Sequence, residues 1–417
     1  MLEPQGTVFF LLLMVAFAAL LVWVALAKQV VFRIFAACLA FLPAMVFGIA
    51  AVNKYYDYYQ TWGSLVSDLS DSGSASIPKV SAAGLDGGSI DTQLGQSADT
   101  AEASTLGYLF QTAVTASNIT RDVYVWLPPQ YFQSSYKAYH FPVIELLHGS
   151  PGDPSAWVNV MDVDALFLQL MSENKADPAV VVMPDTDGGE RYALQCLNYP
   201  GMKDLQDMTY VGVDVPDYIA KELRVQPPGR AWAVAGYSEG GYCAANIGMQ
   251  YPDRWGYVGS LSGYFTLQGN PSQIPANGKA NGKPVVYAPY KHDYAEFVRN
   301  SPALYVLKLP IGVQIPQFWL AAGNEDAGDV QGLEQFQQLL QTRLASVPID
   351  IVQGGGHQAK VWRAALTPML EYMTPGLQNW AQRDDVAAAE AAASAKHHTT
   401  RTKATPSPST TPATKRT

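Results

Sequence analysis

The stretch Ala231-Trp232-Ala233-Val234-Ala235-Gly236-Tyr237-Ser238-Glu239-Gly240-Gly241 decides how this chain is read. An unbroken apolar run, a Gly-x-Ser-x-Gly turn and a helical pattern over 239–250 describe a buried strand turning sharply into a helix. A serine in such a turn has cramped backbone dihedrals, so small residues stand two positions to either side of it. The turn lifts the Ser238 hydroxyl above the sheet edge. The helix behind it directs N–H groups and a positive dipole end toward the same spot. Ser238 is therefore the candidate nucleophile, and the N–H of Glu239 a candidate oxyanion donor.

On either side of this stretch, short apolar runs alternate with helical ones. Segments 142–147, 179–183, 257–261, 316–321 and 349–352 read as buried strands. Segments 163–173, 213–223, 333–344 and 360–372 read as helices between them. Segments 109–115 and 123–127 alternate like an antiparallel edge pair. This order predicts an α/β fold of the α/β-hydrolase type over 106–383, a mostly parallel central sheet with helices on both faces.

A serine hydroxyl is a poor nucleophile at neutral pH and needs a base. His357, in the late loop Gly354-Gly355-Gly356-His357 after the last strand, is the best placed of six histidines. His292 stands in reserve, His140 reads as polar surface, and His148 as structural. The acid belongs between nucleophile and base, in the loop Gly323-Asn324-Glu325-Asp326-Ala327-Gly328-Asp329. It holds three carboxylates; we take Asp326 as the acid, with Glu325 and Asp329 as alternatives. The loop Leu147-His148-Gly149-Ser150-Pro151-Gly152 follows a strand, where this chemistry places its second oxyanion donor. Pro151 has no N–H, which leaves Ser150, or less favourably Gly152. Such an acyl-enzyme mechanism calls for no cofactor and no metal.

The ends of the chain are of another character. Segments 8–27 and 34–52 are uncharged runs long enough to cross a bilayer as helices, joined by a loop with Lys28 and Arg33. A cleavable signal peptide fits less well, since the residues before Val8 offer Glu3 and no Lys or Arg. The expectation is a transmembrane hairpin over 1–60 with its basic loop in the cytoplasm and all later residues outside. The Tyr- and Trp-rich segment 53–62 suits the outer interface. Segment 61–105, rich in Ser, Gly, Asp and Ala, reads as a flexible polar linker. The tail 384–417 (Ala, Thr, Pro, Lys) reads as disordered, with positive charge that suits an anionic envelope polymer. His397 and His398 within it are assigned no role.

Of 417 residues 48% are hydrophobic and 15% charged, with a net charge of −9. The ends are net positive, so the body is strongly acidic and would repel nucleic acid. Three cysteines exclude a disulfide scaffold or multi-cysteine zinc module. Cys38 lies in the second apolar run. Cys196 and Cys243 fall in the part expected outside, where an oxidising compartment allows them to pair. The aromatic segment 264–302 reads equally as the lining of an acyl pocket, through Tyr264, Phe265, Tyr287, Tyr290, Tyr294 and Phe297, or as a surface loop packing its own rings.

With VYVWLPPQY, LLHGSPGDPSAW, VVVMPD, GYSEGGYCAAN, SLSGYF, AAGNED and GGGHQAKVW, residues 106–373 resemble the Putative esterase family of the α/β-hydrolase superfamily, a branch that also holds the secreted mycolyltransferases. The resemblance implies a nucleophile at Ser238, an acid at Asp326 and a base at His357. With hairpin and tether the chain looks like membrane-anchored actinobacterial members. A mycolyltransferase would carry an Asp-Gly-Leu-Arg loop and no glycine pair after its serine. This chain has His148-Gly149-Ser150-Pro151 and Gly240-Gly241. The expected function is a membrane-anchored extracytoplasmic serine esterase or acyltransferase on ester or lipid-type substrates. An inactive hydrolase-fold scaffold and a serine peptidase are the alternatives.

Overall fold

The computed structural model describes residues 2–69, 77–81, 89–97, 100–188, 195–199, 203, 205–267, 279–280, 283–284 and 294–402. The two uncharged runs form helices α1 (Thr7–Leu26) and α2 (Val30–Tyr56), both long and apolar enough to cross a membrane. No residue of α1 is buried, while Ala36, Ala40 and Ala50 of α2 are. Small side chains on one face let two helices approach closely, and Phe10 meets Phe47 edge to face at 5.1 Å. α2 starts earlier and ends later than the apolar run, because hydropathy marks where charge begins and not where helix stops. Arg33 lies inside it, its Nε donating to the Ala27 carbonyl at 2.8 Å. The helix ends where Asp57 turns left-handed, at φ 53°.

The segment expected as a free tether is partly built into the body. Helices Trp62–Leu69, Ile90–Ser97 and Thr100–Leu106 occupy it. Ile90 and Leu94 are buried, and the Ile90 N–H donates to the Glu222 carboxylate at 3.2 Å. Val80 N–H donates to Gln111 O at 2.8 Å beside the first strand. A polar composition conceals these few anchoring apolar residues, so the linker expectation is corrected over the described residues.

Among the described residues ten strands follow: β1 (Tyr108–Ala116), β2 (Ile119–Leu127), β3 (Val143–Leu147), β4 (Val180–Pro184), β5 (Gly229–Tyr237), β6 (Trp255–Leu261), the short pair β7 (Lys279–Ala280) and β8 (Lys283–Pro284), then β9 (Gln317–Gly323) and β10 (Ile349–Val352). Eight form one sheet in the order β1-β2-β4-β3-β5-β6-β9-β10. The pairs β1–β2 and β2–β4 are antiparallel; the remaining pairs are parallel. Residues of β3 to β5 are buried almost throughout, as parallel strands covered on both faces must be.

Alternation along β5 divides the core. Trp232 and Val234 face a cluster with helix Glu239–Gln250, whereas Ala233, Ala235 and Tyr237 face one with the last helix, through Trp362, Leu366 and Met369. That last helix spans Ala359–Thr402. The tail expected to be disordered from residue 384 is thus helical to Thr402, prolonged by an alanine-rich run of high helix propensity. Residues 403–417 lie outside the described residues. In the segment 264–302, Tyr264 stacks on Tyr242 at 4.7 Å and Phe265 on Phe336 at 4.0 Å. Phe297 is also buried, so these rings serve the core. Tyr294 opens helix Tyr294–Arg299; Tyr287, Tyr290 and His292 lie outside the described residues.

Candidate active site

Ser238 joins β5 to helix Glu239–Gln250 with φ 56° and ψ −122°, a conformation that costs a side-chain-bearing residue energy. Hydrogen bonds hold it there. Its N–H donates to Leu261 O at 2.8 Å, and its carbonyl accepts from Gly241 and Tyr242 N–H at 3.0 and 3.2 Å. The two flanking glycines answer to space. A Cβ on Gly240 would stand 2.1 Å from Leu147 O, and one on Gly236 2.4 Å from the Gly240 carbonyl. Strand β3 and the helix can meet this closely only without side chains.

His357 comes from the loop after β10. The Ser238 hydroxyl donates to its Nε2 at 2.8 Å, and its Nδ1–H donates to Asp329 Oδ2, also at 2.8 Å. The acid taken from the sequence is thereby corrected. A carboxylate oxygen of Asp326 lies within 4.8 Å of a His357 ring nitrogen, but the imidazole bonds Asp329, the alternative named from the sequence. The Asp326 carboxylate caps helix Ala327–Leu340 by accepting the Asp329 N–H at 3.1 Å. Capping fixes the first turn and carries Asp329, one turn further on, to the ring. Glu325 contributes its backbone, its N–H donating to Gly355 O at 2.9 Å. Asn324 Oδ1 accepts the Gly354 N–H at 2.8 Å, so the acid loop and the histidine loop are tied together. An aromatic chain supports the ring: Trp157 against Tyr237 at 5.1 Å, Tyr237 stacked on Trp362 at 4.5 Å, and Trp362 edge-on to His357 at 5.2 Å.

Glu239 opens the helix, where a first-turn N–H has no partner inside the helix. Its side chain points inward, accepting the Gln195 N–H at 2.8 Å, and burial pushes its carboxyl up to about 7. Gly149 presses on the nucleophile, since a Cβ there would be 3.0 Å from the Ser238 Cβ; Ser150 follows on the rim of the same cleft. His148 is buried away from the reacting atoms. Its Nδ1 donates to Gly149 O at 2.9 Å, and its Nε2 accepts the Thr186 N–H at 3.0 Å. Those bonds shape the loop. His140 lies at the surface beside Asp385.

The cleft above Ser238 has a volume of about 930 Å³. Ser238, His357, Gly149 and Ser150 form one side. The other comes from the chain's beginning, including Phe9, Ile49, Tyr56, Tyr59 and Trp62. Sequence reading missed this wall. The aromatic density of 53–62 was its only signal, and it reads as well for an interfacial belt.

A sequence model of the family described as Putative esterase matches residues 114–373. The chain belongs to this family. Its general activity is accordingly that of an ester hydrolase, and residues 114–373 cover the strand, turn and loops just described. An uncharacterized protein of Corynebacterium glutamicum is 25% identical over 345 residues, covering 80% of this chain and 75% of its own length. The MPT51 antigen of Mycobacterium leprae is 39% identical over 70 residues, 17% of this chain and 21% of the antigen. Among solved structures, a ferulic acid esterase superposes with a TM-score of 0.53 at 20% identity, covering 65% of this chain and 99% of its own. An S-formylglutathione hydrolase of Staphylococcus aureus gives 0.51 at 16% identity, covering 64% and 99%. At such identities the likeness speaks for the α/β-hydrolase fold alone.

Cys196 and Cys243 form a disulfide with their Cα atoms 5.6 Å apart. It joins the segment that follows β4 to the helix after the nucleophile, and both residues are buried. Cys38 is a free thiol.

Proposed function

We propose that the protein is a membrane-anchored, extracytoplasmic serine esterase or acyltransferase acting through Ser238, His357 and Asp329. The observation that carries this reading is the single imidazole bonded to both the Ser238 hydroxyl and the Asp329 carboxylate, each at 2.8 Å. His357 Nε2 takes the hydroxyl proton as Oγ attacks an ester carbonyl, and Asp329 stabilises the imidazolium. The N–H groups of Ser150 and Glu239 receive the oxyanion. The alcohol leaves with the proton from His357, and an acyl group stays on Ser238. Water, giving an acid, or a second alcohol, giving a new ester, then attacks with the same base.

Two features support the location. Most side chains of α1 and α2 are apolar and exposed, Leu26 and Val31 at 74% and 72%, which costs free energy in water and none in lipid. The Cys196–Cys243 disulfide suits an oxidising compartment. Placing Lys28 and Arg33 in the cytoplasm puts the catalytic body outside. The experiment is labelling by a fluorophosphonate probe in intact cells, wild type against Ser238→Ala. Ser238-dependent labelling by a membrane-impermeant probe is the expected result. Equal labelling of both forms would refute the assignment of the nucleophile.

A further inference from the structure

We infer that the outer end of the hairpin is itself the acyl-binding wall of the catalytic site, so that the substrate is an ester with a long hydrocarbon chain that enters along α2. This rests on the serine-hydrolase reading above and adds the substrate class to it.

The catalytic body and the hairpin are fastened together at this place. Arg363, on the last helix, donates to Val160 O at 2.7 Å and to Asp57 O at 3.1 Å, and also pairs with the Asp57 carboxylate. Both side chains are mostly buried. Beyond Asp57 the chain folds back over the end of α2. Asn53 accepts the Tyr59 N–H and donates to Tyr59 O, both at 2.8 Å. Gln5 donates to the same carbonyl at 3.1 Å, and Phe9 meets Trp62 edge to face at 5.1 Å. These contacts hold the apolar side of the cleft against Ser238.

That side extends along α2 from Val46 to Tyr56, which at 1.5 Å per residue is about 15 Å of helix. Val46, Ile49, Ala50 and Val52 face the cleft with no charged group among them. A bound acyl chain would run from Ser238 along the helix, parallel to the chains of a surrounding bilayer. A volume of about 930 Å³ lies at the upper end of ligand pockets, far more than an acetyl group occupies. The 264–302 segment reads from sequence equally as such a lining or as a surface loop packing its own rings; its residues Tyr264 and Phe265 pack into the core.

The test uses the full chain in lipid nanodiscs, with p-nitrophenyl esters from acetate to dodecanoate. Each methylene buried in the cleft should raise kcat/KM about fourfold until the groove is filled, from about 0.8 kcal/mol per methylene. Ile49→Trp, which fills the groove, should lower the dodecanoate-to-acetate ratio of kcat/KM by tenfold or more. Val15→Trp, on the exposed side of α1 away from the cleft, should leave the ratio unchanged. An unchanged ratio in Ile49→Trp, or an equal fall in Val15→Trp, would overturn the inference while leaving the esterase reading intact. Absence of Ser238-dependent turnover of any ester would overturn both. A wild-type readout avoids reliance on a variant that must fold. A long alkyl phosphonate with a terminal diazirine, bound at Ser238, should crosslink within residues 46–56. Crosslinks confined to 264–302 would refute the placement.

Discussion

Replacing Asp329 by asparagine keeps the size of the side chain and removes the charge that holds His357 in its working tautomer. In the wild type, Nδ1–H donates to Asp329 and leaves the Nε2 lone pair for the Ser238 proton, both contacts at 2.8 Å. An amide can instead present N–H to Nδ1, which moves the ring proton to Nε2 and closes it as an acceptor. The corresponding change in well-defined triads costs about 10⁴ in kcat. Here the His357 and Asp329 side chains are 36% and 21% exposed, so water can partly replace the lost partner. The expectation is therefore a fall of about 10³ to 10⁴, which is roughly 4 to 5 kcal/mol of transition-state stabilisation. Asp326→Ala is the matched control. It removes a helix cap, worth about 1 kcal/mol of stability, and no hydrogen bond to His357 or Ser238, so kcat should fall less than about tenfold. The assay is steady-state hydrolysis of a short p-nitrophenyl ester by the purified full chain, with thermal unfolding run in parallel. A folded Asp326→Ala variant as inactive as Asp329→Asn would refute the assignment, as would an Asp329→Asn enzyme within tenfold of wild type.

Glu239 gives a prediction in pH. Its carboxyl ionises near 4.5 in an unfolded chain and near 7 when folded. The folded state binds the extra proton between those values, so stability declines as pH rises from about 4.5 to about 7. Glu239→Gln should flatten that decline, by roughly 3 kcal/mol at most, in thermal unfolding measured between pH 4 and 8; an undiminished slope would show that another group governs it. Gly240→Ala puts a methyl group where Leu147 O stands 2.1 Å away, so fluorophosphonate labelling should be lost even where protein accumulates. Normal labelling would show that β3 can retreat from the turn. Cys196→Ser should lower stability by about 4 kcal/mol, the loop-closure value for a separation of 47 residues. Peptide mapping that finds both thiols free in untreated protein would dismiss that figure.

The parallel sheet was legible because strands buried on both faces are written as unbroken apolar runs between helical ones, as in residues 231–235. The sharp turn was legible because glycines are forced at fixed offsets by backbone contacts of 2.1 and 2.4 Å to a hypothetical Cβ. The choice among Glu325, Asp326 and Asp329 was not. It depends on where helix Ala327–Leu340 begins, and the sequence read that helix as starting at 333, too late to show Asp326 as its cap. The docking of the hairpin was equally hidden. One ion pair, Arg363 with Asp57, joins residues 306 positions apart. No local pattern carries a contact at that separation.

The same long-range connections explain how a strained serine and a glycine-rich loop make a defined site. Three glycines before His357 leave its loop free to adopt many conformations, a poor mount for a base. The structure limits that freedom from outside the loop: Asn324 accepts Gly354 N–H, Gly355 O accepts Glu325 N–H, and Trp362 stands against the ring. Trp362 in turn stacks on Tyr237, the residue before Ser238, and Arg363 beside it grips Asp57 below the cleft. One end of the last helix thus bears on nucleophile, base and hairpin together. On the function proposed above, two consecutive residues, Trp362 and Arg363, give a displacement of the hairpin a physical route to the base at His357.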